Sequence, residues 1–197
     1  MRINMKATFA MLLIVAAVSA VPASAQTHSV SSAKPGTELA LTYTYLHANA
    51  PPDACGCFSM NGGAAEFAYP VKRSFSAVAE AGAVTASNVN SSGRDLTLSS
   101  YLVGGRYSLR AARFTPYAQL LVGAAHASGS LAPGQFGLSS TAFAMAAGGG
   151  LDLNLHSHLA LRVFQADYLL TLLPNQTNDH QNNFRFSTGV VFHFGNK

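Results

Sequence analysis

Residues Asn183–Phe194 read NFRFSTGVVFHF and alternate between two kinds of side chain. Large apolar residues occupy every second position from Phe184 onward, with Thr188 as the exception, and mostly smaller or polar residues lie between them. Alternation with a period of two residues is typical of a β-strand whose two faces meet different environments. The stretch therefore predicts a strand with two unlike faces at the end of the fold.

The same alternation recurs in seven earlier segments. They are Thr37–Ala48, Gly62–Val71, Phe75–Ser87, Leu96–Leu109, Phe114–Ala125, Thr141–Leu153 and Leu159–Leu172. A strand that crosses a bilayer at a tilt needs about 9–11 residues, and each segment has that length or slightly more. Eight such segments predict an all-β fold, an eight-stranded antiparallel up-and-down transmembrane β-barrel.

The connections between these segments alternate in length and polarity. Long polar stretches follow the first, third, fifth and seventh segments, at Asn49–Asn61, Asn88–Asp95, Ala127–Ser140 and Leu173–Asn182. Only a few residues follow the second, fourth and sixth segments. Outer-membrane barrels show this asymmetry, with long loops outside the cell and tight turns in the periplasm. An even number of strands then predicts that both barrel termini lie on the periplasmic side.

The composition agrees with a membrane barrel. Charged residues make up 10% of the chain and apolar residues 49%. A soluble domain carries about a quarter charged residues, whereas a barrel shows lipid an apolar band and keeps polar groups inside. The formal charge is +4, and it falls by two to +2 without Arg2 and Lys6, which is too small to argue for a nucleic-acid partner.

The N-terminus has the order of regions found in a secretory signal peptide. Arg2 and Lys6 give a positive start, Ala7–Ala20 is apolar, and Ala23-Ser24-Ala25 forms an Ala-x-Ala cleavage site. The alternative, a membrane anchor, needs a longer apolar run of about 20 residues. The sequence therefore predicts three parts: a signal peptide at 1–25, a periplasmic lead-in at 26–36 and the barrel at 37–197.

The polar members of the segments fall mostly on one parity, which we interpret as the inner face of the barrel. This face collects Glu38, Glu66, Glu80, Arg106, Gln119, Asp152, Arg162 and Arg185. Charges held away from water must be paired, so these side chains predict a structural ion-pair network in the interior. A narrow gated ion path is the alternative, although an eight-stranded barrel is only wide enough inside for its own side chains.

The seventh segment does not keep a single parity. Arg162 and Asp167 fall on opposite faces of a regular strand, which predicts either a bulge or a position of Asp167 beyond the lipid band. Arg185, on the last segment, is a candidate partner for Glu38 on the first. Aromatic residues near the segment ends suit the girdles that flank a lipid band: Tyr43, Tyr45, Phe67, Tyr69, Tyr107, Phe114, Tyr168, Phe192 and Phe194.

Cys55 and Cys57 lie in the first long connection, separated by one glycine. In an oxidising compartment a local disulfide is the default, although so small a ring would be strained. Free or intermolecular thiols, and a metal or redox role, are the alternatives. The chain has no second cysteine pair to complete a zinc site, and we expect no cofactor.

The segments GGGLDL at 148–153 and LRVFQADY at 161–168, together with the ending at Asn183–Phe194, resemble the small outer-membrane β-barrel domain family. This family includes the OmpA-type transmembrane domain and opacity-type porin-like proteins, and the resemblance covers nearly all residues after the signal peptide. One departure is that Gly195-Asn196-Lys197 follow Phe194, whereas the family typically ends on the aromatic that the assembly machinery reads.

The resemblance implies a monomer in the bacterial outer membrane. Its expected partners are outer-membrane lipids including lipopolysaccharide, the barrel-assembly machinery and an unidentified extracellular ligand. Members of the family serve as structural anchors, adhesins, narrow channels and, in a few cases, lipid-modifying enzymes. We therefore expect a structural or surface-interaction role, adhesin-like, without enzyme activity.

His126 and Ser128 are the candidates for an enzymatic alternative. Lipid A 3-O-deacylases are also eight-stranded barrels, and they carry a His-x-Ser pair with a downstream Glu on the lipid-facing wall. The chain has the pair on its predicted outer parity, but its last Glu is Glu80, and Asp152 is predicted to face inward. A triad requires nucleophile, base and orienting acid within hydrogen-bond reach, so the resemblance to these enzymes is incomplete.

Overall fold

The computed structural model describes residues 36–48, 57–87, 89, 95–111, 113–129, 139–174 and 179–195. The predicted signal peptide at 1–25, most of the predicted lead-in and Cys55 lie outside the described residues. The described part of the chain contains no helix that is long and apolar enough to cross a membrane.

Eight strands form a closed antiparallel barrel in which each strand pairs with its neighbours in sequence and β8 pairs with β1. The strands are β1 (Thr37–Ala48), β2 (Phe58–Lys72), β3 (Phe75–Ala86), β4 (Leu96–Ser108), β5 (Phe114–Ser128), β6 (Ser140–His156), β7 (Leu159–Thr171) and β8 (Gln181–Phe194). The predicted fold class is confirmed. We call the end with the three short connections and the barrel termini the turn end, and the opposite end the loop end.

Several strands extend further toward the loop end than the alternation indicates. β2 begins at Phe58 instead of Gly62, because Ala48 and Phe58 still pair across the ladder with β1. The added outward positions are polar. Ser59 and Asn61 form side-chain hydrogen bonds of 2.6 Å with the hydroxyls of Tyr45 and Tyr43. Backbone pairing therefore continues past the point where the outward side chains cease to be apolar.

β7 contains the bulge that its mixed parity predicts. Val163 and Phe164 are both exposed on the outer wall, and the pairing with β8 shifts register between Arg162 and Gln165. The extra residue returns the polar residues after it to the inner face, so that Arg162, Gln165 and Asp167 are all buried. Asp167 therefore lies inside the barrel, and the alternative position beyond the lipid band is wrong.

The seam between β1 and β8 closes the barrel. Its register runs from Thr37 opposite Phe194 to His47 opposite Phe184. Glu38 lies opposite His193, whereas Arg185 lies opposite Leu46, eight residues further along β1. The expected pair of Arg185 with Glu38 is therefore wrong, because this register keeps the two side chains apart and Arg185 pairs with Glu80 and Asp167 instead.

The register of the seam predicts a specific disulfide. In a chain with Cys55 and Cys57 replaced by serine, cysteines at positions 41 and 190 (Leu41→Cys with Val190→Cys) should crosslink efficiently on oxidation. The two positions are direct partners, and partner Cα atoms in an antiparallel pair are about 4.5–5.5 Å apart, within disulfide range.

The matched control is Leu41→Cys with Phe192→Cys, a diagonal pair about 7–8 Å apart. Band shifts on non-reducing gels measure both reactions. More efficient crosslinking of the diagonal pair would mean that the seam is shifted by two residues.

Candidate functional site

The interior has two layers, and the layer nearer the turn end is polar. The structure places all eight side chains assigned to the inner face in this layer, none more than 8% exposed. Tyr117, Gln165 and Asp167 join them. The inward parity of Tyr117 was visible in the sequence, whereas the inward position of Gln165 and Asp167 depends on the bulge in β7.

Arg162 is the centre of the polar layer and is completely buried. Its Nε donates to Asp152 Oδ1 at 3.0 Å, and its Nη2 donates to Asp152 Oδ2 at 3.3 Å. Its Nη1 donates to Glu66 Oε1 at 2.9 Å and to Gln165 Oε1 at 2.8 Å. Three strands, β2, β6 and β7, are thus joined through one guanidinium group, whose planar donors suit such multiple contacts.

Tyr117 contacts both Arg162 and a second arginine, Arg106. Its ring centroid lies 4.9 Å from the Arg162 guanidinium carbon and 4.2 Å from that of Arg106. A cation near an aromatic ring is attracted by the ring quadrupole, so the ring stabilises both charges. Arg106 also forms an ion pair with Glu66 and donates to Gln119 Oε1 at 2.7 Å.

Arg185 forms the second centre of the layer. It pairs with Glu80 across the interior and with Asp167 on the neighbouring strand, where its Nη2 lies 2.8 Å from Asp167 Oδ2. Gln165 Nε2 donates to the same Asp167 oxygen at 2.7 Å, which connects this centre to Arg162. Arginines and carboxylates from six strands, β2, β3, β4, β6, β7 and β8, therefore belong to one network.

Glu38 occupies the mouth of the barrel at the turn end. Its carboxylate lies 3.1 Å from Arg110 Nη2, 3.8 Å from Arg106 Nη1 and 3.9 Å from His193 Nδ1. Arg110 also donates to the carbonyl oxygen of Arg73 at 2.7 Å, which links the β4–β5 connection to the β2–β3 connection. The sequence places Arg110 in the short connection after the fourth segment, although its parity continues that of Arg106.

The layer nearer the loop end is apolar. It consists of buried side chains from β1 to β7, among them Leu46, Met60, Val84, Leu98, Leu102, Leu121, Ala125, Ala144 and Leu169. Leu46, Met60, Leu102 and Leu121 are each at most 1% exposed. A hydrated ion that crossed the barrel would have to displace this packing, because an eight-stranded interior has room only for its own side chains.

His126 and Ser128 lie on the outer wall near the loop end of β5, both partly buried. The structure joins His126 Nδ1 to Thr141 Oγ1 of β6 at 2.7 Å. Within the described residues, neither His126 nor Ser128 is hydrogen-bonded to the other or to a carboxylate. Asp152 lies inside the barrel, bound to Arg162, so the parts of a catalytic triad do not come together.

Cys57 is exposed just before β2 and has no disulfide partner among the described residues. Because Cys55 lies outside them, the local disulfide stays a prediction. The part of the chain that the structure describes also contains no group of three or more His, Cys, Asp or Glu side chains that could hold a metal ion.

An outward apolar band, a closed antiparallel barrel and a packed interior define the class of outer-membrane β-barrels. Residues 13–194 match the family profile described as "Outer membrane protein beta-barrel domain", and the chain belongs to this family. The predicted family resemblance is confirmed. A comparison with curated protein sequences gave no match.

Two solved structures illustrate the likeness. The attachment invasion locus protein Ail of Yersinia pestis has a TM-score of 0.58 at 16% identity, over 82% of this chain and 100% of that one. Neisserial surface protein A, NspA, has a TM-score of 0.62 at 14% identity, over 81% of this chain and 97% of that one. At identities this low, the structural likeness shows a shared fold alone.

The buried network predicts unequal costs for the loss of two arginines. Arg185→Met should lower the free energy of unfolding by about 3–5 kcal/mol, because it leaves Glu80 and Asp167 buried without their cationic partner. Urea titration of the barrel in lipid vesicles, with the folded fraction read from heat-modifiable migration on SDS gels, measures the loss.

Arg110→Met is the matched control. The Arg110 side chain is 26% exposed at the mouth, so its pair with Glu38 should contribute about 1 kcal/mol or less. Equal losses in the two variants would contradict the assignment of Arg185 to a closed network.

Proposed function

We propose that the barrel is a structural and surface-interaction protein of the outer membrane, adhesin-like, whose loop end contacts an extracellular ligand. The observation that carries this proposal is the filled interior, with a polar layer cross-linked through Arg162 and an apolar layer around Leu102 and Leu121. A barrel packed in this way offers no wide path for a solute, so the surfaces that can bind a partner are on its outside. The four connections at the loop end are the largest of them.

The comparisons support this role by analogy of fold. Ail is named for attachment, and NspA is named as a surface protein. Both are barrels that this chain matches over more than four fifths of its length. The narrow-channel and lipid A deacylase alternatives receive no such support, because the apolar layer fills the interior and His126 is bound to Thr141.

The proposed orientation puts the loop end outside and the turn end, with both barrel termini, in the periplasm. Exposed aromatic residues next to the turn end suit the inner girdle: Tyr69, Phe75, Tyr107, Phe114 and Phe194. Exposed basic side chains follow them in the turns, at Lys72, Arg73 and Arg113. In this proposal, the signal peptide at 1–25 directs export and the assembly machinery inserts a monomer.

Trypsin provides a sharp test of the orientation. The four connections at the loop end contain one trypsin site (Lys or Arg) between them, Arg94. Trypsin added to intact cells should therefore cut the barrel after Arg94 alone, giving two fragments. The turn-end sites at Lys72, Arg73, Arg110 and Arg113 should be cut only after the outer membrane is made permeable. Cleavage at Arg110 or Arg113 in intact cells would mean that the turn end lies outside the cell, and the proposed orientation would be wrong.

Adherence tests the proposed role. Cells that express the barrel should bind to one or more members of an array of host matrix proteins and glycans, and cells without it should not. Replacing residues 130–138 with a Gly/Ser linker of the same length should remove or weaken that binding, while heat-modifiable migration stays normal. Arg110→Met, altered at the opposite end, is the control and should bind as the wild type does. Unchanged binding after replacement of each loop-end connection in turn would contradict a surface-interaction role.

A further inference from the structure

The charged groups of the polar layer do not balance. Glu38 is paired with Arg110 at the mouth of the barrel. Behind this pair, the described residues include three buried arginines and four buried carboxylates: Arg106, Arg162, Arg185, Glu66, Glu80, Asp152 and Asp167. If all of these groups were ionised, one negative charge would have no arginine to balance it.

The surplus negative charge lies at Arg185. This arginine forms ion pairs with two carboxylates, Glu80 and Asp167, and neither has a second ion-pair partner among the described residues. Asp167 also accepts hydrogen bonds from the side-chain amides of Gln165 and Gln119, at 2.7 and 3.5 Å. Glu80 accepts from Arg185 alone in the part of the chain that the structure describes. Of the two carboxylates, Glu80 is therefore the one with less support for a negative charge.

The neighbour of Glu80 has an oxygen without a donor. Glu66 and Glu80 are direct partners in the ladder between β2 and β3, and both side chains are buried in the interior. Direct partners have Cβ atoms about 4.5–5.5 Å apart, which brings the two carboxyl groups within reach of each other. Glu66 Oε2 is buried and has no hydrogen-bond partner among the described residues. A buried acceptor without a donor is costly, so this oxygen requires a hydrogen atom from a neighbour.

We propose that Glu80 is protonated in the folded barrel and donates its hydrogen to Glu66 Oε2. One proton removes both irregularities, because it cancels the surplus charge beside Arg185 and gives the unpartnered oxygen of Glu66 a donor. Two carboxyl groups held side by side share one proton when their like charges are too close for both to ionise. The polar layer is then the binding site of a single proton, which the chain takes up when it folds.

The arginines around the pair favour the proton on Glu80 over Glu66. Arg106 and Arg162 both bind Glu66, through the same oxygen, and favour a negative charge there. Glu80 has Arg185 alone, which it shares with a second carboxylate. The hydrogen therefore belongs on the carboxyl group with fewer cationic partners and points to the one with more.

The other neighbours of the pair leave this arrangement undisturbed. The direct partners on the outer flanks of the pair, Ala40 of β1 and Leu102 of β4, are apolar. The other titratable or charged side chains of the interior bind the arginines or lie at the mouth: Tyr117, Asp152, Glu38, Arg110 and His193.

A water molecule and a small cation are the competing occupants. A water at Glu66 Oε2 would supply a donor but would leave the surplus charge. A cation would balance the charge, but it would lie among carboxylates that already bind three arginines, whose positive charges repel it. We therefore assign the position to a proton, and the experiment distinguishes the three.

Infrared spectroscopy of the full barrel, at neutral pH in a detergent without carbonyl groups, tests the proposal. A protonated carboxyl group has a C=O stretch apart from the carboxylate and amide bands. The wild type should show this band, although a glutamate in water is ionised at neutral pH. Glu80→Gln should lack the band and still fold, since the amide has the shape of the protonated acid and supplies the same donor. Glu38→Gln is the matched control at the mouth and should keep the band.

The pH dependence of stability provides a second measurement. At neutral pH the folded wild type binds one proton that the unfolded chain has released, so its stability falls as the pH rises. Glu80→Gln has no such proton. The ratio of the unfolding equilibrium constants, wild type over Glu80→Gln, should therefore rise about tenfold per pH unit above the range in which a free glutamate titrates. Urea titrations read by heat-modifiable migration on SDS gels measure both constants.

Each other outcome overturns the proposal. Absence of the band in the wild type, with a ratio that does not change with pH, would leave a water at Glu66 Oε2. A ratio that changes with the concentration of Na⁺ or K⁺ instead of pH would assign the site to a cation. A band that survives Glu80→Gln and disappears in Asp167→Asn would place the proton on Asp167. None of these results depends on which end of the barrel faces the periplasm, so the trypsin test of the orientation stands apart from them.

Discussion

The whole structure depends on the closure of the sheet between β1 and β8. In hydrocarbon no water can satisfy a backbone N–H or C=O group, so an open edge would leave a row of them unpaired. The seam pairs Thr37 through His47 with β8 and removes both edges at once. Gly189 shows how closely the strands approach there, since a Cβ at this position would lie 2.1 Å from the carbonyl oxygen of Leu41. Closure in turn confines every inward side chain to one narrow interior.

The confined interior explains why its charges form a connected network. A buried ion costs several kcal/mol unless it is paired and hydrogen-bonded, and isolated pairs leave other lone pairs unsatisfied. Here Arg162 donates to Asp152, Glu66 and Gln165. Gln165 in turn donates to Asp167, which also accepts from Arg185. The match is incomplete at one place: among the described residues, Glu66 Oε2 is buried without a hydrogen-bond partner. Both arginines that hold Glu66 bind its other oxygen.

The sequence predicts the barrel well because two independent patterns agree. Alternation identifies each strand, and the unequal connections order them into an up-and-down topology, so the strand count and the inner parity follow. The pattern does not predict which carboxylate meets which arginine, because partners such as Arg185 and Glu80 come from strands far apart in sequence. The alternation of apolar and polar residues also ends before the strands do. Ser59 and Asn61 still pair with β1, although their outward side chains are polar. Leu46 and Leu121 share the parity of the charged inner residues on their strands, whereas Met60 falls in a segment that the sequence assigns to a connection.

The two layers also suggest why the interior is not apolar throughout. The outer wall is already apolar, so a wholly apolar interior would let a strand slip by one residue and exchange its faces at little cost. With a charged inner face, the same slip would turn Arg185 or Glu80 toward lipid, where an arginine at the bilayer midplane costs about 2–4 kcal/mol. The bulge at Val163 and Phe164 follows the same logic, because without it either Arg162 or Asp167 would face lipid. We interpret the network as the element that sets register, which leaves the outer wall and the loop-end connections free to vary with function.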